Sequence, residues 1–321
     1  MFEPDEDLRA TASACPVCRN PARPLFDVDG YTILRCPDCS HQFAAFSAKP
    51  DHVASTYGDA YFFGGGAGYP DYLAEARIRR DAGRRYAALL EPYLAPGRVL
   101  DVGSAAGFVL AGLIDRGWRG IGIEPNPTMA DCGRRELGLD LRATTLEAFS
   151  AETASRNPAG GGGRTGGRPT AQATGDDGFD LVTMIQVIAH FHDLRKALAQ
   201  AAGLTRIGGH WLIETWDNSS RTARLLGRRW HEYSPPSVLH MFSRNSLVRL
   251  LAEHGLEPVA FGRPAKRISG AHVKSLLGHK LGHGPVAAPL RWMLRAVPDR
   301  AVLPYPSEDL FWALFRRVGR D

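Results

Sequence analysis

The residues best suited to chemistry lie in a short turn between a predicted strand and a predicted helix. Residues 99–102 form an apolar run that predicts a buried strand, and residues 108–114 are apolar at helical spacing. Gly103 and Gly107 stand between them, and glycine lets a backbone turn tightly and approach a ligand because it has no Cβ atom. A strand, a glycine turn and a helix in this order predict a nucleotide-binding site.

An acid at the end of the next predicted strand extends this site. Residues 120–123 form that strand, and Glu124 follows it about 20 residues past the glycine turn, where a carboxylate accepts both hydroxyl groups of an adenosine ribose. A dinucleotide fingerprint would need glycine at Ala105 and Phe108, and the Gly-Lys-Ser/Thr sequence of a Walker loop does not occur. What remains is an acid, Asp101, followed at alternate positions by glycine, a small residue and glycine. An ordinary strand–turn–helix with chance glycines is the alternative.

This pattern resembles motif I of class I S-adenosylmethionine (SAM)-dependent methyltransferases, with Glu124 as the acid of motif II. The resemblance covers nearly the whole chain and implies an α/β fold, a Rossmann-like seven-stranded sheet whose last strand is antiparallel. It implies S-adenosyl-L-methionine as the cofactor. The cofactor-binding residues that it implies are Asp101, Gly103, Ser104, Ala105, Gly107, Phe108, Glu124, Pro125, Asn126, Leu146, Glu147, Met184 and Gln186.

Four cysteines near the N-terminus predict a metal site. They form two C-x-x-C pairs, Cys15 with Cys18 and Cys36 with Cys39, and residues 19–35 lie between the pairs. Four thiolates at this spacing close a tetrahedral shell around Zn²⁺, which indicates a structural zinc ribbon over residues 10–48. His41 is close enough to be a spare ligand, but with four cysteines present we expect it at the surface.

Aromatic residues alternate with glycines after the ribbon, within a predicted cap and lead-in helix over residues 49–95. The order of ribbon, aromatic segment and motif I is similar to that of bacterial methyltransferases with an N-terminal zinc ribbon. In that family the segment covers the cofactor and lines the acceptor site, which implies substrate-binding roles for Tyr61, Tyr69 and Tyr72. The alternative is that these tyrosines are ordinary core aromatics of a cap. Residues 73–94 are predicted to form an arginine-rich amphipathic helix.

The methyltransferase domain is predicted over residues 96–321. Its third strand is expected at residues 139–143, the fourth strand and its exit at 179–190, and a turn into the fifth strand at 204–214. The last two strands are expected at residues 256–261 and 309–315. Residues 151–178 are glycine-rich with few apolar side chains and are predicted to be a disordered insertion. Residues 264–305 are a basic, helix-like insertion and a candidate substrate lid.

Methyl transfer to a hydroxyl group or a carbon acid needs a proton acceptor. Histidine is suited to this role near neutral pH, and a catalytic metal is unnecessary because a sulfonium methyl group is already electrophilic. His240, in a proline-bounded loop that resembles the family's acceptor loop, is the first candidate for the base. His190 is the second and Tyr233 the third. The alternative is that each histidine satisfies a loop hydrogen bond.

Length and composition suit one large domain with a small module. The chain has 321 residues and 44% hydrophobic residues, and no apolar run approaches the length of a membrane helix. The N-terminal stretch is acidic, the opposite of a secretory leader, so the predicted compartment is the cytoplasm. The net charge is +5, but the arginines are scattered among acids, which disfavours a nucleic-acid partner.

The sequence therefore predicts a class I SAM-dependent methyltransferase that acts on oxygen or carbon of a small molecule, such as a sugar or a secondary metabolite. One alternative is an RNA methyltransferase that uses the ribbon to bind RNA. The Asn/Asp-Pro-Pro-aromatic segment of amino-group methylases is absent after the fourth strand, where residues 184–187 read Met-Ile-Gln-Val. Another alternative is a catalytically silent SAM-binding scaffold. The acceptor and the oligomeric state stay open.

Overall fold

The computed structural model describes residues 13–64, 71–156, 178–274 and 296–319. The strands in these ranges are β1 (Arg23–Val28), β2 (Tyr31–Arg35), β3 (Gln42–Ala44), β4 (Arg98–Val102), β5 (Arg119–Glu124), β6 (Leu141–Ala143), β7 (Phe179–Ile185), β8 (Thr205–Trp216), β9 (His240–Met241), β10 (Leu256–Gly262), β11 (Arg267–Ser269), β12 (Val302–Pro304) and β13 (Leu310–Arg317). The helices are α1 (His52–Thr56), α2 (Asp59–Phe63), α3 (Ala76–Leu90), α4 (Phe108–Ile114), α5 (Pro127–Leu137), α6 (Leu146–Arg156), α7 (Leu194–Leu204), α8 (Arg221–Leu226) and α9 (Arg244–Ala252).

A seven-stranded sheet carries the predicted motifs. Its strand order is β10-β13-β8-β7-β4-β5-β6, and the order reverses in sequence at β4. The strands β6, β5, β4, β7 and β8 pair in parallel, whereas β13 is antiparallel to both of its neighbours. The predicted α/β fold with an antiparallel last strand is therefore confirmed. The carboxyl ends of β4, β5, β7 and β8 meet at one edge, where ligands of such sheets bind.

Burial explains why these segments are strands. Four of the five residues of β4 are buried, and β7 is buried at all but two of its seven positions. Strands covered by helices on both faces read as continuous apolar runs, which is how the sequence predicted them. The predicted lead-in helix corresponds to α3, which packs against α4 beside the sheet.

The ribbon sheet includes a strand from the larger domain. Its order is β1-β2-β3-β9, and β9 pairs with β3 in antiparallel register, with Phe43 opposite His240. The buried residues Val17 and Phe43 of the ribbon share one apolar cluster with Phe242. The ribbon is thus built into the larger domain through a strand from a distant part of the sequence.

The two predicted insertions begin with ordered elements. Residues 151–156 belong to α6, so the prediction of disorder was wrong for them, and residues 157–177 lie outside the described residues. In the 264–305 segment, β11 and β12 form an antiparallel pair, and residues 275–295 lie outside the described residues. Among the helices of the described ranges, none combines the length and apolarity that crossing a bilayer requires.

Candidate functional site

A cavity of about 770 Å³ opens at the carboxyl edge of the large sheet. One half is lined by the ends of β4, β5 and β7, and the other by α3, β8 and the segment that leads into β11. Most of the predicted cofactor residues lie at the first half. They are Asp101, Gly103, Ser104, Ala105, Glu124, Pro125, Leu146, Glu147 and Gln186.

Glu124 is buried at the end of β5 and held by the backbone. One carboxylate oxygen accepts the N–H of Ala105 at 2.9 Å, and the other accepts the N–H of Asn126 at 2.9 Å. Burial raises the pKa of Glu124, although these two N–H groups act in the opposite direction. Each oxygen keeps acceptor capacity on the cavity side, which a pair of vicinal hydroxyl groups would fill.

Asp101 is buried at the end of β4 and only half satisfied. Its Oδ1 accepts the hydroxyl of Thr183 at 2.6 Å, whereas its Oδ2 has no hydrogen-bond partner among the described residues. Burial raises the pKa of Asp101 to about 7. A buried oxygen without a donor costs free energy, so this position fits a ligand that brings a cationic N–H group.

The turn between β4 and α4 has the backbone that the glycine pattern predicted. Gly103 has φ +66°, and a Cβ atom there would lie 2.7 Å from the side chain of Val187. Ala105 occupies the position of the family's middle glycine and still adopts φ +49°. This conformation costs an alanine roughly 1–2 kcal/mol, and it directs the Ala105 N–H to Glu124.

Four predicted cofactor residues do not line the cavity, and each has a structural role instead. Gly107 is the left-handed residue before α4, and Phe108 packs its ring on Tyr72 at 5.9 Å between centroids. Asn126 caps α5, because its side-chain oxygen accepts the N–H of Met129 at 3.0 Å. Met184 is fully buried within β7. These four residues thus have structural roles in or near the strand ends, and their contact with a cofactor stays a prediction.

His190 lines the cavity beside the turn after β7. Its Nδ1 lies 2.7 Å from the carbonyl oxygen of Ser237, which accepts the proton on Nδ1, and the backbone of Gln186 also hydrogen-bonds the ring. Burial lowers the pKa of His190, so the ring is neutral near pH 7. The hydroxyl of Tyr57 donates to the same carbonyl at 2.8 Å. His190 is therefore a buried, neutral histidine at the cavity wall.

His240 does not line the cavity. Its Nε2 donates to the carbonyl of Phe191 at 2.9 Å, and its Nδ1 lies 3.4 Å from Nε2 of His41. Burial lowers the pKa of His240 to about 4. With both nitrogens engaged between β3 and the large domain, His240 matches the alternative of a satisfied loop histidine. His41 is fully buried, so its predicted surface position was wrong.

The four tyrosines predicted as site residues differ in their positions. Tyr233 lines the cavity, but its hydroxyl donates to the side chain of Gln42 in β3, and burial raises its pKa to about 12. Tyr61 and Tyr72 also line the cavity, and the guanidinium of Arg79 lies 4.1 Å from the ring centre of Tyr72. Tyr69 lies outside the described residues.

The other half of the cavity contains charged and aromatic residues that the sequence analysis missed. Glu214 is buried near the end of β8 and accepts hydrogen bonds from the hydroxyl of Tyr86 and from Nε2 of Gln186, the latter at 2.8 Å. The ammonium of Lys266 lies 4.9 Å from the ring centre of Trp216 and 5.1 Å from that of Tyr305. An acid near the carboxyl end of the fifth strand of the large sheet was the one local signal for this half.

Comparison with known families decides the identity of the fold. A family model described as a methyltransferase domain matches residues 74–260, which is more than half of the chain. The chain belongs to the methyltransferase-domain family. The matched range of this methyltransferase contains the turn after β4, Glu124 and the strand β8, whereas Tyr61, Tyr72 and the β11 side of the cavity lie outside it. No curated protein matches the sequence significantly.

The chain is also similar to solved structures, at low sequence identity. A SAM-dependent methyltransferase from Thermotoga maritima is 18% identical over 77% of this chain and 92% of its own, with a TM-score of 0.44. One from Archaeoglobus fulgidus is 14% identical over 77% and 99%, with a TM-score of 0.47. The 1,6-didemethyltoxoflavin-N1-methyltransferase of Burkholderia thailandensis is 16% identical over 93% and 100%, with a TM-score of 0.47. These values are too low to transfer an activity to this methyltransferase.

The four predicted metal ligands of the methyltransferase come together. The sulfur atoms of Cys15, Cys18, Cys36 and Cys39 all lie within 4.8 Å of one another, and the closest pairs are 3.4 and 3.5 Å apart. A tetrahedral Zn²⁺ with bonds of about 2.3 Å separates its sulfur ligands by about 3.8 Å, so the cluster fits this ion. Burial raises the pKa of Cys15 to about 11, and a bound cation would favour the thiolate.

Proposed function

We propose that this methyltransferase binds SAM and transfers its methyl group to an oxygen or carbon atom of a small molecule, such as a sugar or a secondary metabolite. The observation that carries the proposal is the pairing of two buried acids in one cavity. Glu124 has acceptor capacity for the ribose hydroxyls, and Asp101 has an oxygen that lacks a donor among the described residues. Adenosine and ammonium groups are both present in SAM, and the two acids end neighbouring strands.

In this reaction the protein would hold the cofactor and align its methyl group with the acceptor. When bound, the cofactor supplies an electrophilic methyl group. Asp101 would hold the ammonium group, Glu124 the ribose, and Leu146 with Glu147 would border the adenine. Gln186, fixed by its hydrogen bond to Glu214, would border the methionine half. Fixed polar groups in an enclosed cavity place the methyl group in line with the acceptor at little reorganisation cost.

We propose His190 as the general base in place of His240. Its ring is neutral and lines the cavity, Ser237 holds Nδ1, and Nε2 would take the proton of a hydroxyl or carbon acid in exchange for any contact with the backbone of Gln186. Tyr61 and Tyr72 would line the wall between cofactor and acceptor. We also propose a structural Zn²⁺ at the four cysteines and a cytoplasmic location, because thiolates that serve a metal persist in a reducing compartment.

The test is transfer of a labelled methyl group from SAM to a panel of sugars, sugar derivatives, phenols and carbon acids. We expect transfer to at least one acceptor, and His190→Ala should lower single-turnover transfer by roughly 10²–10⁴-fold with unchanged affinity for S-adenosylhomocysteine (SAH). Wild-type rates of methyl transfer in His190→Ala would show that His190 is not the base. The same assay with RNA tests the alternative acceptor, and SAH binding without transfer to any acceptor would favour the scaffold alternative.

A further inference from the structure

The arginines of α3 differ in one respect that points to a ligand. Four of them form ion pairs on the protein, and these pairs are Arg77 with Asp81, Arg79 with Glu75, Arg80 with Asp115, and Arg84 with Asp81 and Asp115. Arg85 forms no ion pair or side-chain hydrogen bond with any residue in the described ranges, and it lines the cavity. It is half-buried, so its charge is only partly solvated.

A second unpaired guanidinium approaches Arg85 from β11. Arg267 also lines the cavity and has no carboxylate partner within the part of the chain that the structure describes. Burial and the charge of Arg267 lower the pKa of Arg85, whereas Tyr86, Asp81 and Glu214 act in the opposite direction. Arg85 is half-buried and Arg267 is exposed, and neither forms an ion pair within the described ranges, so an anion that bridges the two guanidinium groups would be bound favourably.

The framework behind the two arginines is fixed. The carboxylate of Glu75, just before α3, accepts the N–H and the hydroxyl of Ser269 at 3.1 and 3.0 Å. It also accepts hydrogen bonds from His272 at 3.0 Å and from Arg79 at 2.7 Å. Glu75 therefore holds β11 against α3, and its hydrogen-bonding capacity is used by these partners. Glu75 therefore does not pair with Arg85 or Arg267, and an anionic ligand would balance their positive charge.

We infer that the acceptor of this enzyme carries an oxyanion, a phosphate or a carboxylate, that binds between Arg85 and Arg267. A guanidinium presents two parallel N–H groups to such an anion, which gives both affinity and orientation. The inference rests on the proposed function, because it takes this half of the cavity as the acceptor side. Arg85 lies in α3 next to Tyr86, whose hydroxyl donates to Glu214, whereas Asp101, where the cofactor's ammonium is proposed to lie, belongs to β4.

The test is anion binding to the full-length protein saturated with SAH. Inorganic pyrophosphate and citrate serve as probes in separate calorimetric titrations, since they distinguish a phosphate site from a carboxylate site. We expect one of them to bind, and Arg85→Gln and Arg267→Gln each to weaken that binding at least about tenfold. Arg85→Lys, which keeps the charge, should retain part of it. Arg77→Gln is the matched control, because its side chain is 94% exposed on the same helix and outside the cavity.

Three results would overturn the inference. The first is wild-type protein that binds neither probe. The second is an equal loss of anion binding in Arg77→Gln. The third is a parallel loss of SAH affinity in Arg85→Gln, which would assign the arginines to the carboxylate of the cofactor. If the wild-type protein failed to bind SAH at all, the cofactor proposal would fail, whereas the same titrations without SAH would still test the arginine pair.

Discussion

The two acids of the cavity differ in what the protein provides for them. Both oxygens of Glu124 receive a backbone N–H, whereas Oδ2 of Asp101 receives no hydrogen bond from the described residues. Burial accordingly raises the pKa of Asp101 to about 7, so its charge changes near neutral pH. Glu124 is arranged to accept hydroxyl groups, and Asp101 is arranged to accept a cation.

The affinity for SAH should therefore depend on pH through Asp101. Below pH 7 the carboxyl is protonated and cannot pair with the ammonium of SAH, and above pH 7 it is ionised. From pH 6 to pH 8 the affinity should rise about tenfold, since the ionised fraction rises by that factor. Asp101→Asn should bind weakly with a flat profile in calorimetric titrations. The same slope in this variant would show that another group titrates.

Asp101 should also oppose folding of the cofactor-free protein at higher pH. Its pKa of about 7 lies above the ordinary value of 3.8, so the folded state keeps a proton that the unfolded state has released. The free energy of unfolding then falls as pH rises from about 4 through 7. Asp101→Asn, which can still accept the hydroxyl of Thr183, should raise the melting temperature more at pH 8 than at pH 5. An equal shift at both values would contradict this origin.

The sequence placed the two acids but ranked His240 before His190, the base proposed here. The reason is that the position of His240 depends on pairing between distant parts of the chain. Asp101 and Glu124 follow from a strand, a turn and a second strand within residues 99–124, which local periodicity fixes. The place of His240 depends on the pairing of β9 with β3, a strand near the opposite end of the chain. The sequence of a loop does not show whether its residues pair with a strand from a distant part of the chain. His190 follows a strand that the sequence predicts well. Its position therefore depends less on pairing between distant strands than the position of His240 does.

Among the secondary-structure elements, β9 connects the ribbon to the site. It pairs with β3 of the ribbon, and the segment just before it contains Ser237, whose carbonyl holds Nδ1 of His190. The hydroxyl of Tyr233 in the same segment donates to Gln42 of β3. The predicted zinc ribbon is therefore one of the supports of the proposed base. The predicted domain boundary at residue 48 does not show this connection.

Loss of the metal should reach this segment as well as the ribbon. Cys36→Ser should lose one equivalent of zinc by elemental analysis and speed amide hydrogen exchange in residues 13–46, because the shell stabilises the folded ribbon. Amide hydrogen exchange should also become faster in residues 233–241, which contact β3. Cys132→Ser is the matched control, since that cysteine lies in α5 outside the cluster. If exchange became faster only in the ribbon, the position of β9 would not depend on the folded ribbon.

The whole molecule shows where sequence reasoning ends. The seven strands and their antiparallel last member were predictable because apolar runs and the family resemblance specify them. The proposed acceptor half of the cavity was not predictable, because it is assembled from α3, β8 and the start of β11, whose residues meet only in the folded chain. Arg85 and its paired neighbours on α3 look alike in sequence. Only the distribution of acids around the helix separates them.

The measurement that tests the central claim most directly is a calorimetric titration of SAH into the wild-type protein and Glu124→Ala. The wild type should bind one equivalent, and loss of the charged hydrogen bonds to the ribose should weaken binding by about 1.5–3 kcal/mol, roughly 10- to 150-fold. Glu136→Ala, an exposed change on α5, is the control and should bind as the wild type does. Wild-type protein that binds no SAH, or unchanged affinity in folded Glu124→Ala, would contradict the proposed SAM site.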